Sequence, residues 1–194
     1  KTGVAIEPAP HQQYYCDALQ ATLATGANVF SSGSLDNGSR FLIEQLPKIE
    51  PGEAMADLAC GNGVLGFCAL RAGIGKGLTF CDESAMAIAA ARENAAALGH
   101  AQAIRFHHGD GFNGLEGKFD LILCNPPFHL GHTVDDFAGQ RLLTQCTGHL
   151  QPGGRLYVVA NRHLDYGGVL KHQFQSVEKL AQDRKFIVWV ARQG

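Results

Sequence analysis

An α/β fold, doubly wound around a mostly parallel sheet, is predicted by three features of this sequence. Short apolar runs alternate with segments of helical periodicity. Glycine- or proline-rich turns close several of the apolar runs at their C-terminal ends. The 194 residues suffice for one domain able to bury about 70% of its unfolded surface without disulfides or metals.

Taken in order, residues 1–27 are mixed, with Pro8, Pro10, a Gln-Tyr-Tyr patch and an alanine-threonine stretch. They read as a linker or the remnant of a preceding N-terminal domain, leaving 28–194 as the folded domain. Leu35 to Leu46 carries apolar residues at helical spacing, and Pro47 stops it. A strand over 54–60 leads into a helix from Val64 to Ala72, ended by Gly73. Leu78–Asp82 is a second strand. Ser84 to Leu98 is an alanine-dense helix with Ser84 as N-cap and Gly99 as stop. Strands follow at about 103–108 and 119–124, then a helix near 135–149. After the Pro152-Gly153-Gly154 turn come a strand to Ala160 and the β-prone run 185–191.

Composition narrows the classes. Six cysteines without a CxxC pair read as small buried hydrophobes in a reducing compartment, hence a cytoplasmic protein. The nine histidines show no ligand spacing, so no metal is expected. No apolar run approaches a membrane span, so no membrane is expected. A formal charge of −2 is low for a domain that grips RNA through phosphates alone. Without an initiator Met, Lys1 is not expected to be a natural start.

Two motifs carry chemistry. The first, Asp57-Leu-Ala-Cys-Gly61-Asn62-Gly63-Val-Leu-Gly66, formally matches GxGxxG, with an acid at Asp82 placed to receive ribose hydroxyls. Taken alone it fits a dehydrogenase as well as a methyltransferase. Asp57 favours the second, because a carboxylate there would repel a pyrophosphate and attract a cation such as S-adenosylmethionine. The second motif, Asn125-Pro126-Pro127-Phe128, follows the apolar run 119–124. An exocyclic amine is a poor nucleophile because its lone pair is delocalised into the ring. The Asn125 side-chain oxygen and the Pro126 carbonyl can hold its hydrogens and turn its lone pair outward. Phe128 can stack the base. A base within a stacked element must flip out to reach this clamp.

The order of these motifs resembles that of amino-methyltransferases, and the resemblance narrows further. Asn28-Val-Phe-Ser31, Leu35-Asp36-x-Gly38-x-Arg40-Phe41, Asp82-Glu83-Ser84, Cys124-Asn-Pro-Pro-Phe-His129 and Val159 to Tyr166 resemble bacterial ribosomal RNA guanine-N2 methyltransferases of the large-subunit type. The resemblance implies a Rossmann-like, class I methyltransferase sheet of seven strands. It further implies S-adenosylmethionine as cofactor, ribosomal RNA as partner, and a degenerate N-terminal methyltransferase-like domain elsewhere in the same full-length chain. On it, Asp57, Gly61, Asn62, Gly63, Asp82, Glu83, Asp110 and Asn125 bind the cofactor, while Asn125, Pro126 and Phe128 hold the guanine. Ala59 stands where that family has glycine, and its methyl is expected to crowd the cofactor. The same clamp would serve adenine N6 or a protein glutamine amide, and a decayed site would leave an inactive RNA-binding or ribosome-assembly module.

Overall fold

The computed structural model describes residues 12–25, 33–100, 104–127 and 136–194. A seven-stranded sheet forms its middle layer. In chain order, the strands and helices begin with β1 (Gln12–Cys16), β2 (Ala21–Thr25), α1 (Asn37–Ile43), β3 (Gly52–Leu58), α2 (Val64–Arg71), β4 (Gly75–Asp82) and α3 (Ala85–Ala97). They continue with β5 (Ile104–His108), β6 (Phe119–Cys124), α4 (Asp136–His149), β7 (Leu150–Asn161), α5 (Tyr166–Gln173), β8 (Ser176–Gln182) and β9 (Phe186–Arg192). The sheet runs β5-β4-β3-β6-β7-β9-β8. Neighbouring strands from β5 to β7 pair in parallel, and β9 alone is reversed, pairing antiparallel with both β7 and β8.

Two cores result, one on each face. Leu42 of α1, Phe67 of α2 and Ile88 of α3 pack with Leu78 and Leu121 on one side. Leu143 and Cys146 of α4 and Leu170 of α5 pack with Ile122 and Leu156 on the other. Helices on both faces explain why β3, β6 and β7 read as continuous apolar runs rather than alternating ones. The switch point falls between β3 and β6: the helix after β3 covers one face and the helix after β6 the other. All six cysteines are free and buried within these cores, as hydrophobes.

Three sequence expectations change. Residues 12–25, read as linker, form an antiparallel hairpin whose Cys16, Leu19 and Leu23 join the core over α2 and α3. These residues therefore belong to the domain, although their mixed composition hid it. The strand expected from Gly154 begins at Leu150, because pairing with β6 resumes across the Pro-Gly turn after a register shift. Finally, β8 has no continuous apolar run, being a partly exposed edge strand, and its sequence gave no signal.

Asn94 of α3, 1% exposed, stitches the hairpin to the turn after β3. Its Oδ1 accepts from Ala24 N at 2.8 Å, while its Nδ2 donates to Ala24 O and Asn62 O, both at 3.0 Å. Removing it takes this partner from Ala24 N and Asn62 O, while Ala24 O keeps its bond from Asn62 Nδ2. Asn94→Ala is therefore expected to lower stability by about 3 kcal/mol, read as a shifted urea midpoint. A cost within experimental error would show the hairpin to be loosely attached.

Candidate active site

The site forms where β3 and β6 end side by side, Leu58 opposite Cys124. Beyond those ends lies a cavity of about 290 Å³. The turn after β3, the acids after β4, and Asn125 and Pro127 after β6 form much of its wall.

The glycine turn is built by close approach. Gly61 and Gly63 adopt left-handed backbone angles, φ 55° and 85°, that favour glycine. Gly66 lets α2 settle onto the sheet, since a Cβ there would lie 2.5 Å from the Phe80 ring. Gly61, Asn62, Asp57, Asp82, Glu83 and Asn125, all candidates from the sequence, share the cavity wall. Gly63 lies off it: a Cβ there would meet Phe67 and Phe80 at 2.7 and 2.9 Å, so packing explains this glycine. The Asn62 side chain is committed to the hairpin, donating to Tyr14 Oη at 3.3 Å and Ala24 O at 3.1 Å. Ala59 has φ 58°, a left-handed angle that costs an L-residue roughly 1 kcal/mol. Ala59 belongs to the cavity wall.

Two carboxylates dominate the electrostatics. Asp57, 1% exposed, accepts from Gly66 N at 2.8 Å. Burial pushes its carboxyl well above the usual carboxylate range, and nearby Asp82 pushes it further. Asp82 accepts from Gly61 N at 2.8 Å through one oxygen and Ser84 N at 2.9 Å through the other. Each oxygen keeps a lone pair for a ligand hydroxyl. Burial raises this carboxyl too, against the lowering effect of those two hydrogen bonds. Two acids in a desolvated pocket favour a cation.

Asp110 sits after β5, paired with Arg141 of α4 and with Asn113. Its other oxygen, Oδ1, is buried without a partner. Asp110 is not itself on the cavity wall, whereas its neighbours Gly111 and Arg141 are. On the other side, Asn125 Nδ2 donates to Asp36 Oδ2 at 2.8 Å and Ser39 Oγ at 2.9 Å. Asn125 Oδ1 is buried and has no partner. Pro126 is buried beside it, and Phe128 lies outside the described residues, as does His129. Sequence reasoning left Tyr14, Thr25, Arg141 and Leu142 of the wall unassigned. The hairpin pair comes from the stretch read as linker, and the helical pair had no motif to mark it. Among the described residues no group of three or more His, Cys, Asp or Glu could hold a metal ion. No described helix is long and apolar enough to cross a membrane.

A second, shallower cavity of about 270 Å³ opens over β8 and β9 beside α5, lined by Arg162, His163, Lys171, Lys179 and Trp189.

The methyltransferase small domain family model matches residues 20–190. The chain belongs to that family. A relative from Alcanivorax borkumensis, named ribosomal RNA large subunit methyltransferase G, is 47% identical over 89% of this chain and 45% of its own length. A relative of the same name from Pseudomonas paraeruginosa is 42% identical over 95% of this chain and 50% of its own. The chain thus spans about half the length of these curated relatives. Among solved structures, a T. thermophilus 16S rRNA N2 methyltransferase in complex with AdoMet and guanosine superposes with a TM-score of 0.83. It is 25% identical, and the match covers 96% of this chain and 52% of that one. The class I methyltransferase architecture expected from the sequence is the one observed.

The raised acids make stability depend on pH. A carboxyl whose folded pKa lies above its unfolded value binds its proton more tightly when folded. Its contribution is complete below the unfolded pKa and is lost as pH rises through the folded one. Ligand-free protein is therefore expected to lose stability on going from pH 4 towards neutrality at these groups, and Asp57→Asn should flatten that slope in urea titrations. An unchanged slope in the variant would place the linkage elsewhere.

Proposed function

We propose that this domain transfers a methyl group from S-adenosylmethionine to the exocyclic N2 amine of a guanine in large-subunit ribosomal RNA. The observation that carries this reading is the Asn125 amide. Its NH₂ is committed to Asp36 and Ser39, leaving an unpaired acceptor oxygen beside a cavity lined by buried acids. A buried acceptor without a partner calls for a donor from a ligand. An exocyclic amine is such a donor.

The residues fit the cofactor. Asp57 and Asp82 supply negative potential for its ammonium and sulfonium, and would disfavour the pyrophosphate of a dinucleotide. Asp82 retains lone pairs for ribose hydroxyls, and the left-handed Gly61 admits the ligand close to the backbone. Asp110 Oδ1 is an unpaired acceptor for the adenine amine. Bound there, S-adenosylmethionine supplies an electrophilic methyl group.

Asn125 Oδ1 and the Pro126 carbonyl would hold the two hydrogens of the target amine, drawing its nitrogen out of conjugation and aiming the lone pair into the cavity. Phe128 would stack the base. No general base is required, because the nitrogen becomes acidic on alkylation and its proton passes to water. Arg162 and His163 in the turn after β7, with Lys171 of α5 and Lys179 of β8, border a groove over β9 and would meet flanking phosphates. The name of the two relatives supports the large subunit, and the T. thermophilus neighbour, in complex with guanosine, supports the guanine acceptor. In the full-length chain we assign further RNA contacts to a preceding, degenerate methyltransferase-like domain, and we place this activity in the cytoplasm.

Asn125→Ala is expected to lower turnover on unmodified large-subunit RNA by at least about 10²-fold, with a much smaller change in the cofactor Kd, because the amide acts chiefly on the nucleophile. Single-turnover methyl transfer and calorimetric cofactor titration check the two halves. Full turnover in the variant would refute the assignment.

A further inference from the structure

The stretch Leu35 to Phe41 opens α1, where Asp36 caps the helix by accepting from Ser39 N at 2.8 Å. Its side chains also end on the clamp. Asp36 Oδ2 and Ser39 Oγ both accept from Asn125 Nδ2, across 89 and 86 residues of sequence.

A primary amide has a donor edge and an acceptor edge, and half a turn about its last torsion exchanges them. An unconstrained asparagine would offer a ligand either one. Here a flip would break two hydrogen bonds, one of them assisted by a carboxylate charge, and would press Oδ1 against the Asp36 oxygen. The contact also needs Gly38, where a Cβ would lie 3.0 Å from both Asn125 Oδ1 and Asp36 Oδ2.

We propose, resting on the reading of the site above, that Asp36 and Ser39 are positioning residues that lock the Asn125 amide with its oxygen free. The lock makes this edge of the site an acceptor. It therefore selects targets that bring an N–H, such as an exocyclic amine, over those that bring a carbonyl or an unprotonated ring nitrogen. The charge of Asp36 adds to this. A carboxylate bonded to Nδ2 polarises the amide towards Oδ1, which strengthens its hold on an N–H whose nitrogen is losing electron density.

Helix capping alone predicts a different result from the lock. Asp, Asn and Ser cap helices about equally well, so a purely structural role leaves Asp36→Asn and Asp36→Ser like the wild type. The lock predicts a ranking. Asp36→Asn keeps an acceptor oxygen without the charge and retains part of the rate. Asp36→Ser combined with Ser39→Ala removes the carboxylate and the Ser39 hydroxyl that hold Nδ2 and lowers kcat on the order of 10²-fold, with the cofactor Kd little changed. A second readout needs no turnover. The Asn125 side-chain amide protons, assigned in NMR spectra by their loss in Asn125→Ala, are expected to exchange slowly with solvent in the wild type and rapidly in the double variant. Equal, slow exchange in both would overturn the lock. Rapid exchange with an undiminished rate would overturn its role in selection. If the wild type methylated no guanine, the functional reading would fall, while the exchange measurement would still decide the lock.

Discussion

Four residue pairs join β3 to β6, from Met55↔Leu121 to Leu58↔Cys124, and the chemistry of this domain hangs on that seam. Because α2 and α4 leave in opposite directions, the ends of these two strands open into a cleft that neither helix fills. The glycine turn stands on one side and the Asn-Pro-Pro turn on the other. A register slip of one residue would turn Asp57 or Asn125 to the wrong face. The apolar runs buried on both sides hold that register.

Around the seam the structure tolerates several local costs. Asp57 is a buried carboxyl, Ala59 takes a left-handed angle, and the acceptor oxygen of Asn125 lacks a protein partner. Each would be a defect in a core built for stability alone. Their convergence around one cleft is the signature of a site preorganised for a ligand. Cationic charge would offset the buried acid and an N–H donor the free Asn125 oxygen, as the proposed cofactor and amine would supply.

The strands that form the seam were legible because a parallel sheet covered on both faces leaves uninterrupted apolar runs ending in glycine or proline. For the same reason the positions of Asp57, Gly61, Asp82 and Asn125 could be read in one dimension. What escaped depends on contacts distant in sequence. The hairpin at 12–25 lacks a strong pattern and is held by Asn94, a residue unremarkable on an alanine-rich helix. Gly63 and Asn62 fit a cofactor motif, yet one is explained by the rings of Phe67 and Phe80 and the other's side chain anchors the hairpin. The link from Asp36 and Ser39 to Asn125 spans nearly half the chain, and no local spacing announces it.

The central claim is that this cleft places an exocyclic guanine amine against a methyl donor. Its most direct test is incubation of the domain with methyl-labelled S-adenosylmethionine and unmodified, protein-free large-subunit RNA, followed by digestion to nucleosides. The account predicts label in N2-methylguanosine. Label in N6-methyladenosine, or no label despite confirmed binding of both cofactor and RNA, would contradict it.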